Sequence, residues 1–184
     1  MIEVNEKNFK LFIESRASSL LVTVSSFLAE QDIQSYLVGG FVRDVLLGQD
    51  TADIDIAVAA DALEIAPKVA TALGGRYVLL DKENGVGRVI VLSEGIPSAR
   101  RQWHLDFSTV EGNIEDDLAR RDFTINAMAI DLEQLNKDYV QFIDPLDGWG
   151  DLQRGVIRAV TDTAFEADPA RLLRAVRLAA ELGF

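Results

Sequence analysis

The chain has 184 residues, 48% of them apolar, with 18 Lys plus Arg against 30 Asp plus Glu and a net charge of −12. That is enough for one domain with a buried core, but a stand-alone nucleic-acid binder is normally basic, so any nucleic-acid role rests on local arginines or on a larger protein. With no cysteine and a single histidine, His104, the composition excludes thiol catalysis, disulfides, Cys-ligated zinc and a His-rich metal site, leaving carboxylate oxygens, the preferred ligands of magnesium.

From about Asn5 to Glu30 the apolar positions Phe9, Phe12, Ile13, Leu20, Val24, Phe27 and Leu28 recur at helical spacing, which predicts a long packing helix without chemistry. Tyr36-Leu37-Val38 reads as a strand that ends in Gly39-Gly40. A helix of one to two turns follows, with Val42, Val45 and Leu46 on one face and Gly48 as its stop. Asp53-Ile54-Asp55-Ile56-Ala57-Val58 alternates strictly, so a strand here puts both acids on one face with Cα atoms about 6.5–7 Å apart. Carboxylates at that spacing can share a metal ion or straddle a pair roughly 3.5–4 Å apart. Asp-x-Asp is also the pattern of a solvated outer face. Here, however, a Gly-Gly turn and a helix opening on Phe41-Val42-Arg43 come first, and N–H groups, a helix N-terminus and a guanidinium beside two carboxylates suit a metal-bound polyphosphate.

Ala60 to Leu73 has helical spacing and stops at Gly74-Gly75. Strand-like runs follow at Tyr77 to Leu80, Val86 to Leu92 and Trp103 to Val110, with Asn84-Gly85 as a hairpin turn and Glu94 to Ser98 as a loop. Asp106 stands between apolar neighbours in the third run. It is a solvated strand acid, or a third ligand if this strand lies beside that of Asp53. Ile114 to Arg121 is helical in pattern and leads into Arg121-Asp122-Phe123-Thr124-Ile125-Asn126, with a buried strand expected over Ala127 to Ile130. Phe142 to Asp144 is another short strand, and Gly150-Asp151-Leu152 opens a short turn. The last segment is a helix with Asp168 as N-cap and Pro169 at its first position. Asp168, Arg171, Arg174 and Arg177 form a stripe along it, either a solvated face or a functional one, while Leu172, Leu173 and Val176 are expected to face the core. Without a secretory signal or an apolar run of about 18 residues, the sequence predicts a soluble cytoplasmic protein.

Taken together these motifs resemble the class II tRNA nucleotidyltransferases (CCA-adding enzymes) and the related bacterial poly(A) polymerases. The matching residues are Leu37-Val38-Gly39-Gly40-x-Val42-Arg43-Asp44 with Asp53-x-Asp55, and Arg120-Arg121-Asp122-Phe123-Thr124-x-Asn126-Ala127. Gly150-Asp151-Leu152 with Ile157-Arg158 follows, then Asp168-Pro169-x-Arg171-x-x-Arg174-x-x-Arg177. The resemblance implies an α/β fold: a nucleotidyltransferase head of the DNA polymerase beta type, with a mixed, mostly antiparallel sheet flanked by helices. Residues 1–158 would form the head, with the N-terminal packing helix over 1–30, and residues 159–184 the start of a helical neck.

It further implies that Asp53 and Asp55 hold catalytic Mg2+, with Asp106 as third carboxylate. Gly39, Gly40 and Arg43 would lie at the triphosphate, Arg121 would contact the incoming nucleotide, and Asp122 and Asn126 would check its ribose. Asp168 and Arg171 would read the base edge of CTP or ATP, with Arg174 and Arg177 lining the same pocket. The expected reaction is template-independent addition of CMP or AMP to the 3′ end of tRNA, the RNA being gripped largely by regions beyond residue 184. The chain departs from the family at Ala167, where Glu is usual, and at Arg177-Leu178, where Arg-Phe is usual. Only Ser108 to Asn113 separate the Asp106 strand from Ile114, a shortening that resembles the versions adding CC alone. Poly(A) polymerase chemistry and a non-catalytic nucleotide-binding remnant are the alternatives.

Overall fold

The computed structural model of the protein describes residues 4–5, 8–9, 15–92, 102–135 and 140–184. In chain order the elements are β1 (Val4–Asn5), β2 (Asn8–Phe9), α1 (Ser15–Ala29), β3 (Ser35–Val38), α2 (Gly39–Leu46), β4 (Asp53–Val58) and α3 (Ala62–Ala72). Then come β5 (Arg76–Asp81), β6 (Val86–Leu92), β7 (Gln102–Thr109), α4 (Ile114–Ala119), β8 (Ala129–Asp131), β9 (Val140–Ile143), α5 (Gly148–Arg154), α6 (Ala164–Ala167) and α7 (Ala170–Leu182). The strands form one sheet in the order β1-β2-β9-β8-β3-β4-β7-β6-β5. Neighbours are antiparallel except β4 and β7, which run parallel, so the expected mixed and mostly antiparallel α/β architecture is present.

The period of two decides what each sheet face does. Leu37, Ile54, Ile56, Val58, Leu105 and Phe107 belong to the main core, together with Leu21, Val24 and Leu28 of α1 and Ile65, Ala66 and Val69 of α3. Each large aliphatic or aromatic side chain so buried contributes about 1.5–3 kcal/mol. The alternate residues Tyr36, Val38, Ala57 and Ala129 pack in a second cluster under Ile114 and Leu118 of α4. Asp55 and Asp106 follow the alternation onto this second face. The hydrophobic pattern that buries Ile54 and Ile56 therefore also fixes where the acids stand.

Several expectations are corrected. The first helix does not begin near Asn5: it spans Ser15–Ala29, and Val4–Asn5 and Asn8–Phe9 form strands, the second paired with β9. Strand pairing there gives the backbone its hydrogen bonds without a helix. Gly150-Asp151-Leu152 lies inside the helix α5 rather than in a turn, because Asp144 accepts the Gly148 and Trp149 N–H groups at 2.8 and 2.9 Å and so caps its start. The strand expected from Ala127 begins at Ala129, after a 3-10 turn over Thr124–Asn126. The Glu94 to Ser98 loop lies outside the described residues.

The largest difference concerns α7. Leu172, Leu173 and Val176 do not face the core; they are 54%, 77% and 69% exposed. The inward face at i, i+3, i+4 spacing is instead Arg171, Arg174, Ala175 and Leu178, because the arginines find acceptors on the head. Among the described residues no helix is long and apolar enough to cross a membrane.

Candidate active site

The site begins where β3 turns into α2. Gly39 has φ +68°, and a Cβ there would stand 2.8 Å from Asp55 Oδ2 and 3.2 Å from Arg121 Nη1. Only glycine meets both demands. The turn brings the Gly40 and Phe41 N–H groups to face the Asp55 carboxylate and favour its charged form. Burial, followed by the charge of Asp106, nevertheless pushes the Asp55 carboxyl above the usual carboxylate range, with Arg121 opposing. The cause is register: Asp55 on β4 is paired directly with Asp106 on parallel β7.

Each of the other two acids has a cationic or ring partner. Asp106 receives Arg88 Nε and Nη2 at 2.6 and 2.7 Å, and Asp53, 66% exposed, lies 2.9 Å from His104 Nδ1. The register sets Asp106 directly beside Asp55, two residues along β4 from Asp53, so the strand neighbourhood on which a third carboxylate was conditional is present. The pair Asp53 and Asp55 fits a hard divalent cation. Its donors are all carboxylate oxygens, and Asp55 carries a charge that partial burial and Asp106 disfavour and a cation would stabilise.

The Arg120 to Asn126 segment supplies the next wall. Arg121 is paired with Asp117 at 3.0 Å. Asp122 is buried, accepts the Phe123 N–H at 2.8 Å and Asn126 Nδ2 at 3.2 Å through Oδ1, and binds Arg174 through Oδ2. Arg43 donates to Asn126 Oδ1 at 2.8 Å and to Asp44, and is only 11% exposed. It therefore fixes Asn126, and its guanidinium end lies next to Gly40 of the turn. A buried network holds this segment from below. Asp151 accepts Thr124 Oγ1 at 2.7 Å, Arg154 at 2.9 Å and Arg158 at 2.9 and 3.0 Å, and these bonds hold its carboxyl well below the ordinary range.

The N-terminal turn of α7 closes the site. Asp168 Oδ1 accepts the Ala170 N–H at 3.0 Å, which is the capping role expected of it although the helix itself starts at Ala170. Asp168 and Arg171 stand 3.8 Å apart, and Arg171 also donates to the carbonyls of Arg120 and Arg121. The cleft has a volume of about 380 Å³, within the range of small-molecule sites. It is lined by Gly39, Gly40, Asp55, Asp106, Arg121, Asp122, Asn126, Asp168, Arg171 and Arg174. Asp53, Arg43 and Arg177 are outside this lining, and Arg177 is 60% exposed beside Glu181. Sequence reasoning missed Val86 and Ser108, which line the cavity, and Arg88, which holds Asp106. The one available signal for Arg88 was a lone charge within an otherwise apolar strand.

Two carboxylates beside a glycine turn, an arginine-rich wall and a helix start bearing an acid and a base define a nucleotidyltransferase-type head. The chain belongs to the family described as the poly A polymerase head domain, which matches residues 35–158. It is 40% identical over 174 residues to the CC-adding tRNA nucleotidyltransferase of Geobacter sulfurreducens, covering 94% of this chain and 37% of that protein. It is 44% identical over 154 residues to a protein of the same description from Synechocystis sp., covering 82% of this chain and 34% of that one. The structure of the Thermotoga maritima CCA-adding enzyme complexed with tRNA matches with a TM-score of 0.75 at 38% identity, over 91% of this chain and 38% of that one. The chain thus spans little more than a third of the length of these relatives.

Proposed function

We propose that this chain is the catalytic head of a template-independent tRNA nucleotidyltransferase that adds CMP, as the CC-adding type does. The observation that carries this reading is one cavity that holds Asp55 at one side and the Asp168–Arg171 pair at the other. The pairing chemistry follows from donor and acceptor patterns. Cytosine and adenine each present an exocyclic amine beside an acceptor ring nitrogen, which suits a carboxylate acceptor next to a guanidinium donor. Uracil and guanine present the reverse order and are disfavoured.

In this reading Arg121 contacts the triphosphate and Asn126, fixed by Arg43 and Asp122, meets the ribose. Arg174 lines the pocket while holding Asp122. Asp53 and Asp55 would hold Mg2+, which supplies charge stabilisation for the attacking and leaving oxygens. The tRNA 3′-hydroxyl attacks the α-phosphate, a new phosphodiester bond forms, and pyrophosphate leaves. The gap of only four residues, 110–113, between β7 and α4 supports CC over CCA addition. We place the head at residues 1–158 and the start of a helical neck at 159–184, in a cytoplasmic protein. A chain of net charge −12 leaves most of the RNA grip to other parts of that protein.

The test supplies the full-length protein with tRNAs ending before, within and after CCA, one nucleotide at a time. Addition of two CMP and then arrest supports the reading. ATP-only extension of any RNA would mark a poly(A) polymerase, and nucleotide binding without extension would mark a remnant.

A further inference from the structure

Arg88 has no role in the reading above, yet it holds Asp106, one of the three carboxylates of the site. Across three adjacent strands Arg88, Asp106 and Asp55 form one row: Arg88 is paired in register with Asp106, and Asp106 with Asp55. The Arg88 guanidinium binds both oxygens of Asp106, at 2.6 and 2.7 Å, in the fork geometry that a carboxylate favours most. The pair is half-sheltered, with Arg88 27% and Asp106 20% exposed, so solvent screens it less than a surface pair. Arg121 supplies a second positive charge on the other side of Asp55.

We propose that Arg88 is a positioning residue that controls cation uptake: it occupies both oxygens of Asp106, so that the divalent cation enters with the nucleotide's phosphates and not before them. This rests on the reading of Asp53 and Asp55 as the cation-holding pair. A cation approaching the free protein meets an arginine already bound where a third ligand would stand. Its net attraction then comes from two carboxylates, one of them turned toward His104. The nucleotide triphosphate adds the missing negative charge and oxygen donors, and makes the cation site complete. A lysine at position 88 would keep the charge but lose the two-pronged grip on Asp106.

The experiment measures Mn2+ binding to the full-length protein by the loss of the free-ion electron paramagnetic resonance signal, with and without CTP and with no RNA, each CTP titration being referred to the Mn2+–CTP complex formed without protein. In the native protein Mn2+ should bind weakly alone and at least tenfold more tightly with CTP. Arg88→Met should raise the affinity for Mn2+ alone at least tenfold, and Arg88→Lys should fall between. Adding Asp106→Asn to Arg88→Met should abolish the gain. A merely structural cross-strand pair would give the opposite sign, since its loss would loosen the site and weaken Mn2+ binding. Unchanged or weaker Mn2+ binding in both Arg88 variants overturns the inference but leaves the Asp53–Asp55 reading standing if CTP still promotes uptake. A gain that survives Asp55→Asn overturns both, because the ion then sits elsewhere.

Discussion

The Arg174 guanidinium on α7 binds one oxygen of Asp122, through Nη2 at 2.7 Å and Nε at 2.8 Å. The other oxygen of Asp122 faces Asn126, so one carboxylate ties the start of α7 to the nucleotide pocket. Arg174→Ala should leave this buried carboxylate short of a partner. Because Arg174 is itself 52% exposed, the stability cost should be modest, about 1 kcal/mol. CTP affinity should fall several-fold, and amide exchange should speed up at the start of α7. Unchanged exchange there would show that Leu178 and its neighbours alone seat the helix.

The two glycines of the turn should behave differently. Gly39→Ala places a Cβ 2.8 Å from Asp55 Oδ2 at a positive φ, a backbone strain of about 1–2 kcal/mol on top of the clash. At Gly40 the nearest atom is 3.4 Å away, the end of the Arg43 side chain, and no positive φ is required. Gly39→Ala should therefore abolish nucleotide addition, with Gly40→Ala retaining a measurable share. Comparable activity in both variants would contradict the account of the turn.

Base choice provides a separate check. Arg171→Ala should reduce discrimination of CTP from UTP by about 1–3 kcal/mol, beyond any general loss of rate. Slower addition with unchanged selectivity would assign Arg171 to the Arg120 and Arg121 carbonyls it already contacts.

The Asp151 network predicts a pH dependence. Arg158 first, then Thr124 and Arg154, hold this carboxyl below its ordinary value. A depressed folded-state pKa means that its stabilisation is complete above the unfolded value of about 3.9 and is lost as pH falls toward the folded one. Asp151→Asn should cost about 1–3 kcal/mol at neutral pH, toward the lower end because both arginines are more than half exposed. Urea unfolding at pH 6 and pH 3 should show the gap between native protein and variant narrowing at pH 3. A gap that does not change with pH would remove the charge from the explanation.

Much of the fold was legible because its signals are local. Strict alternation placed Ile54 and Ile56 in the core and Asp55 on the opposite face, and Asn84-Gly85 announced the β5–β6 hairpin. What depended on distant partners was not legible. Leu172 and Val176 have the spacing of a core face, but Asp122 and two backbone carbonyls turn the arginine side of α7 inward. The bond from Arg43 to Asn126, 83 residues away in sequence, is likewise invisible in the local motif. Arg88 and Asp106 become partners only through the register of β6 and β7, which no local pattern encodes.

The most direct test of the central claim is the Asp55→Asn variant of the full-length protein, assayed for CMP addition to tRNA lacking its CCA end. Asparagine keeps the shape and removes the charge that the Gly39-Gly40 turn is built around. The account predicts an unchanged unfolding midpoint or a slightly raised one, since burial and Asp106 disfavour that charge, together with a loss of turnover of about 10²–10³-fold or more. Near-native addition by a well-folded Asp55→Asn protein would contradict it.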